Sequence, residues 1–245
     1  MSLSPISSTQ NEAASIDALL GSNTPTHPYE LRAIAVSTIN GRASIAGSSQ
    51  SLGNATDTQL LLSLRTWADV VIVGAGTIRA ENYGGIQAHR KTDTPAPFAV
   101  LSNSGVFDFD SKFFHSYTTA PIFLLSKNNP ENIAQAQKLK QRGLEVHRID
   151  THNPREVIAT LRQRGFRKMV CEGGPSIYSL FAAHNCIDKF YLTLDPCISS
   201  DATMLFPPLC TATSASSAPS TRISFALEHY QATSDGILFL RYKKI

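Results

Sequence analysis

The sequence predicts an α/β domain built on a mixed, mostly parallel sheet, with helices on both faces and antiparallel strands at its C-terminal end. Three observations predict it. Helical and strand patterns alternate from residue 31 to about residue 185, the arrangement that builds a parallel sheet. From residue 187 strand patterns follow one another without helices, which adds antiparallel edges. Two glycine turns, in VVIVGAGTI and MVCEGGPSI, end buried strands, and open parallel sheets bind ligands at such ends.

Residues 1–28 are polar and carry Pro25 and Pro28. They read as a flexible N-terminal arm with one short helix in EAASIDALLG, stopped by Gly21. Residues 29–245 then form a single domain. LRAIAVST (31–38) is a strand, Asn40-Gly41 a turn, and ASIAGSSQSLG (43–53) a loop. TDTQLLLSLRTWA (56–68) is a helix capped by Thr56 or Asp57, with Leu60, Leu61, Leu64 and Trp67 near one face. Val70–Val73 is a buried strand, Gly74 and Gly76 make its turn, and a helix starts at Thr77. APFAVLS (96–102), PIFLLS (121–126) and LEVHRID (144–150) are strands. PENIAQAQKLKQRG (130–143) and PREVIATLRQRG (154–165) are helices with proline near the start and glycine at the end. RKMVCEGG runs into the helix PSIYSLFAAHN (175–185). Strands at 188–198, 220–231 and 236–245 close the chain, around a low-complexity loop at 211–221.

The 245 residues are 42% hydrophobic and 17% charged, ordinary values for a globular protein. A net charge of +3 gives no argument for nucleic acid and does not oppose a phosphorylated ligand. Cys171, Cys186, Cys197 and Cys210 form no C-x-x-C, and the seven histidines are scattered. No metal site is expected, and the cysteines read as reduced thiols. No signal peptide is evident and no window could span a bilayer, so the expected location is cytoplasmic, without a membrane partner.

The glycine turns carry the chemistry. Gly173 and Gly174 allow close backbone approach, and Pro175 opens a helix whose free N–H groups suit a phosphate. Ser176 adds a hydroxyl. An ordinary strand-to-helix turn is the plain alternative. GAGTIR lacks the third glycine of a dinucleotide fingerprint, and Arg79 takes its slot. The strand ending in Ser102, Asn103 and Ser104 lacks a carboxylate that would repel a 2′-phosphate, which tilts toward NADPH over NADH. Arg65 reads either as a solvated helical charge or as a clamp for a substrate phosphate. Glu172 reads either as a buried structural carboxylate or as an acceptor for a polar heterocycle.

In chain order, STINGR, GSSQSLG, LRTWADVVIVGAGTIRAE, MVCEGGPSIYSLF and DKFYLTLDP resemble the reductase domain of riboflavin biosynthesis over residues 30–243. That family comprises the C-terminal part of a bifunctional deaminase-reductase and stand-alone pyrimidine reductases. No deaminase zinc motif precedes the match. The resemblance implies a dihydrofolate-reductase-like fold and a likeness to homodimers. It implies NADPH-dependent reduction of a small phosphorylated pyrimidine, 5-amino-6-(5-phosphoribosylamino)uracil or its diaminopyrimidine relative, with hydride delivered to C1′ of the opened sugar. Family contacts to the cofactor fall on Val36, Ser51, Thr77, Glu81, Ser102, Asn103 and the run Gly173, Gly174, Pro175, Ser176, Ile177, Tyr178. Substrate contacts fall on Ser49, Arg65 and Glu172, and the catalytic positions on Asn40 and Glu172.

Three positions depart from the family pattern. Asn40 stands where an aspartate is usual, Ile34 where a lysine is frequent, and Ala88 where a substrate-binding arginine belongs, followed by His89 and Arg90. These departures keep two alternatives open. One is a related reductase with a drifted, dihydrofolate- or dihydropterin-like substrate. The other is an NADPH-binding protein without turnover.

Overall fold

The computed structural model describes residues 15–86, 94–208 and 222–245, and a nine-stranded sheet runs through it. The strands are β1 (Glu30–Thr38), β2 (Val70–Gly74), β3 (Phe98–Ser102), β4 (Ile122–Ser126), β5 (Glu145–Ile149), β6 (Lys168–Cys171), β7 (Lys189–Asp195), β8 (Phe225–Ala232) and β9 (Leu238–Lys244). The helices are α1 (Ile16–Leu20), α2 (Ala55–Trp67), α3 (Ala75–Ala80), α4 (Lys112–Ser116), α5 (Asn132–Gln141), α6 (Pro154–Gln163) and α7 (Pro175–Ala183).

The strand order is β5-β4-β3-β2-β6-β1-β7-β9-β8. Strands β1 to β7 are mutually parallel, whereas β9 runs antiparallel to both β7 and β8. The chain moves from β1 outward to β5, then returns through β6 to β7. Right-handed crossovers therefore put the outward helices on one face and the returning ones on the other. Core contacts follow that rule. Residues of α1, α2, α3, α4 and α5 pack with Val71, Val73, Val100 and Phe123. Residues of α6 and α7 pack with Val70, Ile72, Ala99 and Leu124. Alternate side chains of each strand feed opposite cores, as the two-residue period requires. Being covered on both sides, Val70 to Val73 are all fully buried, each side chain stabilising by about 1.5–3 kcal/mol relative to exposure.

Several local expectations change. Asn54, not Thr56 or Asp57, caps α2: its side chain accepts from the N–H groups of Thr56 and Asp57. The Asp57 carboxylate is thereby left for another contact. α3 begins at Ala75, two residues before Thr77. α4 was not expected; Phe113 of this short helix is buried beside Phe98. Of the expected flexible arm, residues 15–28 are described; Leu19 and Leu20 pack, while residues 22–24 and 26–28 are exposed. Leu19 and Leu20 are buried in the α1–α5 core. The carbonyls of Leu20, Ser22 and Asn23 accept from Tyr191, Arg32 and Trp67 side chains. Buried donors of the domain thus find partners at residues 20–23 of the arm. The low-complexity loop at 211–221, Cys210 and the Ala88–Arg90 stretch lie outside the described residues.

Candidate active site

At the carboxyl ends of the parallel strands lies a cleft of about 1040 Å³. It opens where the topology reverses, with β6 inserted between β1 and β2, the place such sheets reserve for ligands. Ile34, Ala35 and Val36 of β1, Gly74 of β2, Leu101 and Ser102 of β3, and Glu172 after β6 all line it.

The two glycine turns form its floor and they touch. Gly74 N–H donates to the Gly173 carbonyl at 2.7 Å, and the Gly173–Gly174 peptide is cis. A Cβ on Gly174 would lie 2.6 Å from the Thr77 hydroxyl, and one on Gly173 would lie 2.5 Å from the Tyr178 ring. Both positions therefore exclude larger residues through contacts inside the protein. Gly76 differs: nothing lies within 4 Å of where its Cβ would be, so the space above it is open to a ligand. The Tyr178 hydroxyl donates to the Ile34 carbonyl, tying α7 to β1.

Most residues expected at the site line the cleft. Val36, Ser49, Thr77, Glu81, Ser102, Asn103, Glu172, Gly174, Pro175, Ser176, Ile177 and Tyr178 all do so. Glu81 reaches across to the 43–53 loop, where its carboxylate accepts from Ser48 Oγ and Ser49 N–H, both at 2.8 Å. It holds that loop over the cleft. At the far end Thr151 donates to Asn103 Oδ1 at 2.5 Å and His152 sits 3.3 Å from Asn103 Nδ2.

Four expected residues lie elsewhere. Gly173 is beneath the cleft surface, joined to Gly74. Ser51 is exposed in the loop. Asn40 turns away: its side chain accepts from Thr38 Oγ1 and Ser199 N–H and donates to the Ser199 carbonyl. It fastens the β1 end to the loop after β7. Arg65 is neither a solvated helical charge nor a lining residue of the cleft, but is paired with Glu172. Its Nε and Nη2 donate to the two oxygens of Glu172 at 2.6 and 2.7 Å, and Tyr83 donates to Glu172 at 3.2 Å. The reason is alternation: Val170 faces the α2 core, so Glu172 two residues on does too. Burial opposes the Arg65 charge, but the facing carboxylate more than offsets this and holds the guanidinium charged. Burial and then Glu172 push the Tyr83 phenol far up, so it stays a donor.

The sequence reading missed Asp57 and Thr193. Asp57 lines the cleft, and Thr193 donates to its Oδ1 at 2.5 Å. Thr193 is paired in register with Val36. The available signal was helical spacing: Asp57 precedes Leu60, Leu61 and Leu64 at three, four and seven residues, so a carboxylate sits on the inward face of α2.

Fold and cleft together define an α/β protein on a mixed, mostly parallel sheet, with its candidate site at the sheet's carboxyl edge. The model of the RibD C-terminal domain matches residues 31–239, and the chain belongs to that family of pyrimidine-type reductases. A pyrimidine reductase-like protein from Corynebacterium diphtheriae is 32% identical, with a TM-score of 0.76 over 89% of this chain and 92% of that one. RibD from Acinetobacter baumannii is 17% identical with a TM-score of 0.69; the match covers 90% of this chain but 59% of that one. The riboflavin biosynthesis reductase Rib7 of Saccharomyces cerevisiae is 15% identical, with a TM-score of 0.63 over 91% and 93% of the two chains. The last two show the fold alone. No curated protein matches the chain. No helix among the described residues is long and apolar enough to cross a membrane.

Proposed function

We propose that this protein is an NADPH-dependent reductase of 5-amino-6-(5-phosphoribosylamino)uracil or its diaminopyrimidine relative, giving the ribitylamino product of riboflavin biosynthesis. The observation that carries the reading is the family match over 31–239 on a chain whose cleft gathers Ser49, Thr77, Glu172 and the 174–178 helix start. The residues present fit a dinucleotide. The start of α7 leaves N–H groups for a phosphate, Gly76 leaves room, and the Ser102–Asn103 turn offers polar groups without a carboxylate. Bound there, NADPH supplies the hydride. The protein supplies orientation, exclusion of water and charge. Glu172 faces the cleft as the acceptor for the heterocycle, with Arg65 and Tyr83 fixing its two oxygens from behind. With the 2′-phosphate end taken to the Ser102–Asn103 turn of β3, the reacting carbon is placed at the other end of the cleft, by β1, where Tyr178 fixes the α7 start.

A cytoplasmic homodimer completes the proposal. Free Cys171, Cys186 and Cys197 support the location, and likeness to the family supports the dimer. The family departures at Asn40 and Ile34 favour a second reading, a drifted substrate of dihydrofolate or dihydropterin type.

The test is a fluorescence titration with NADPH and NADH, followed by absorbance loss with the riboflavin intermediate and with dihydrofolate. NADPH binding with turnover of the intermediate is expected. Turnover of dihydrofolate alone would replace the first reading by the second. Binding without any turnover would leave a nucleotide-binding protein.

A further inference from the structure

Reducing a carbon–nitrogen double bond takes a hydride and a proton, and the cofactor brings only the hydride. The proton needs a source in the cleft. Its titratable lining can be searched group by group. Both oxygens of Glu81 accept from the 48–49 loop, and both oxygens of Glu172 accept from Arg65. The phenols of Tyr83 and Tyr178 are held far above neutral by burial and donate to Glu172 and Ile34. His152 follows β5 and contacts Asn103 after β3. β3 lies three strands from β1, about 14 Å at about 4.8 Å per strand. Asp57 remains. It stands beside Val36 through Thr193, Thr193 occupies one oxygen, and Asp57 lines the cleft.

We propose that Asp57 is the proton donor of the reduction, held in place by Thr193. The inference rests on the reductase reading above. In the step, C1′ of the ring-opened imine accepts hydride and NADPH is oxidised to NADP⁺. The C=N π pair moves to nitrogen, which takes the proton from the Asp57 carboxyl. The product is the secondary amine, and the carboxylate recovers a proton from solvent. Burial pushes the Asp57 carboxyl up, the Thr193 hydrogen bond pulls it down, and the charge of Asp195 pushes it up again. The groups facing it are Asp195 at the end of β7 and Tyr178 of α7; Asp235, between β8 and β9, reaches the same helix end through Asn54. None of these, among the described residues, is a cation that would hold the carboxyl ionised.

The experiment compares wild type, Asp57→Asn and Thr193→Val. An acid is active when protonated, so wild-type kcat should fall as pH rises through a value above the ordinary carboxylate range. Asp57→Asn can still accept from Thr193, so it should fold and bind NADPH within about threefold of wild type. Its kcat should drop about 100-fold or more, and its alkaline limb should vanish. Thr193→Val removes the lowering hydrogen bond, so the limb should move to higher pH. Independently of turnover, an infrared pH titration of the free protein should contain a protonated-carboxyl band that Asp57→Asn lacks. Turnover by Asp57→Asn within about threefold of wild type, with the limb retained, would overturn the acid role alone. A wild type that binds NADPH but reduces no pyrimidine would overturn the proposed function, and the acid role with it.

Discussion

Arg65 and Glu172 stand 107 positions apart in sequence, yet their side chains meet beside the cleft. The Glu172 side chain is 2% exposed and that of Arg65 is 15% exposed. Such a pair gains little over an apolar substitute, but losing one partner strands the other in low dielectric. Arg65→Met should therefore destabilise the protein by about 3–5 kcal/mol. The double variant Arg65→Met/Glu172→Leu should recover a large part of that loss. Urea unfolding of the two variants measures the difference; a single-variant cost under about 1 kcal/mol would show the pair to be solvated. Cys171 offers a second test at this scale. Burial pushes its thiol up to about 12, against a Gly173 hydrogen bond that lowers it. The folded value lies above the unfolded one. The stability it contributes is thus fully present below about pH 8.5 and is lost as pH rises toward 12. Wild type should lose stability more steeply than Cys171→Ala over that range. Iodoacetamide at neutral pH should label Cys186 and Cys197 while sparing Cys171, as mass spectrometry of the native protein can show.

The short helix α1 tests whether residues 15–28 belong to the folding unit. Leu19 is 3% exposed, and Arg241 donates to the Ala18 and Leu19 carbonyls. Leu19→Ala should cost about 2–3 kcal/mol, the low end for a core leucine because a helix near the chain end can relax. Urea unfolding would read it, and a loss under about 0.5 kcal/mol would mean the arm docks without contributing. The arm illustrates what the sequence did and did not make legible. Long apolar strands such as VVIVG and IFLLS were readable because both faces are buried, and the proline-to-glycine helices were readable by their ends. KFFHS was not, since five residues carry too little period to separate a helix from a loop. The arm's contacts at residues 20–23 were not readable either, because its carbonyls accept from Arg32, Trp67 and Tyr191 side chains distant in sequence. At the site the glycine turns were legible because glycine has a local cause. The pairings Arg65–Glu172 and Asp57–Thr193 were not, because each is made by topology across the sheet.

At the scale of the whole molecule, the reversal at β6 brings every part of the cleft to one edge. The outward path supplies the Ser102–Asn103 turn, the return supplies the α7 start, and β1 with α2 supplies Val36 and Asp57. A ligand lying along that edge bridges segments from β3 to β1. Binding to the native state alone stabilises by RT ln(1 + [L]/Kd), about 2.7 kcal/mol at one hundred times Kd. For a chain of this length each kcal/mol moves Tm by about 2–4 °C. Saturating NADPH at that ratio should therefore raise Tm by about 5–10 °C in a thermal melt. NADH at equal concentration should raise it less, because the polar turn at Ser102–Asn103 has no 2′-phosphate to meet. Asn103→Asp discriminates further. A carboxylate there would repel the 2′-phosphate, so the NADPH shift should shrink while the NADH shift is kept. Equal shifts for both nucleotides in wild type, unchanged in Asn103→Asp, would place the adenosine end away from this turn and break the assignment of the β3 edge.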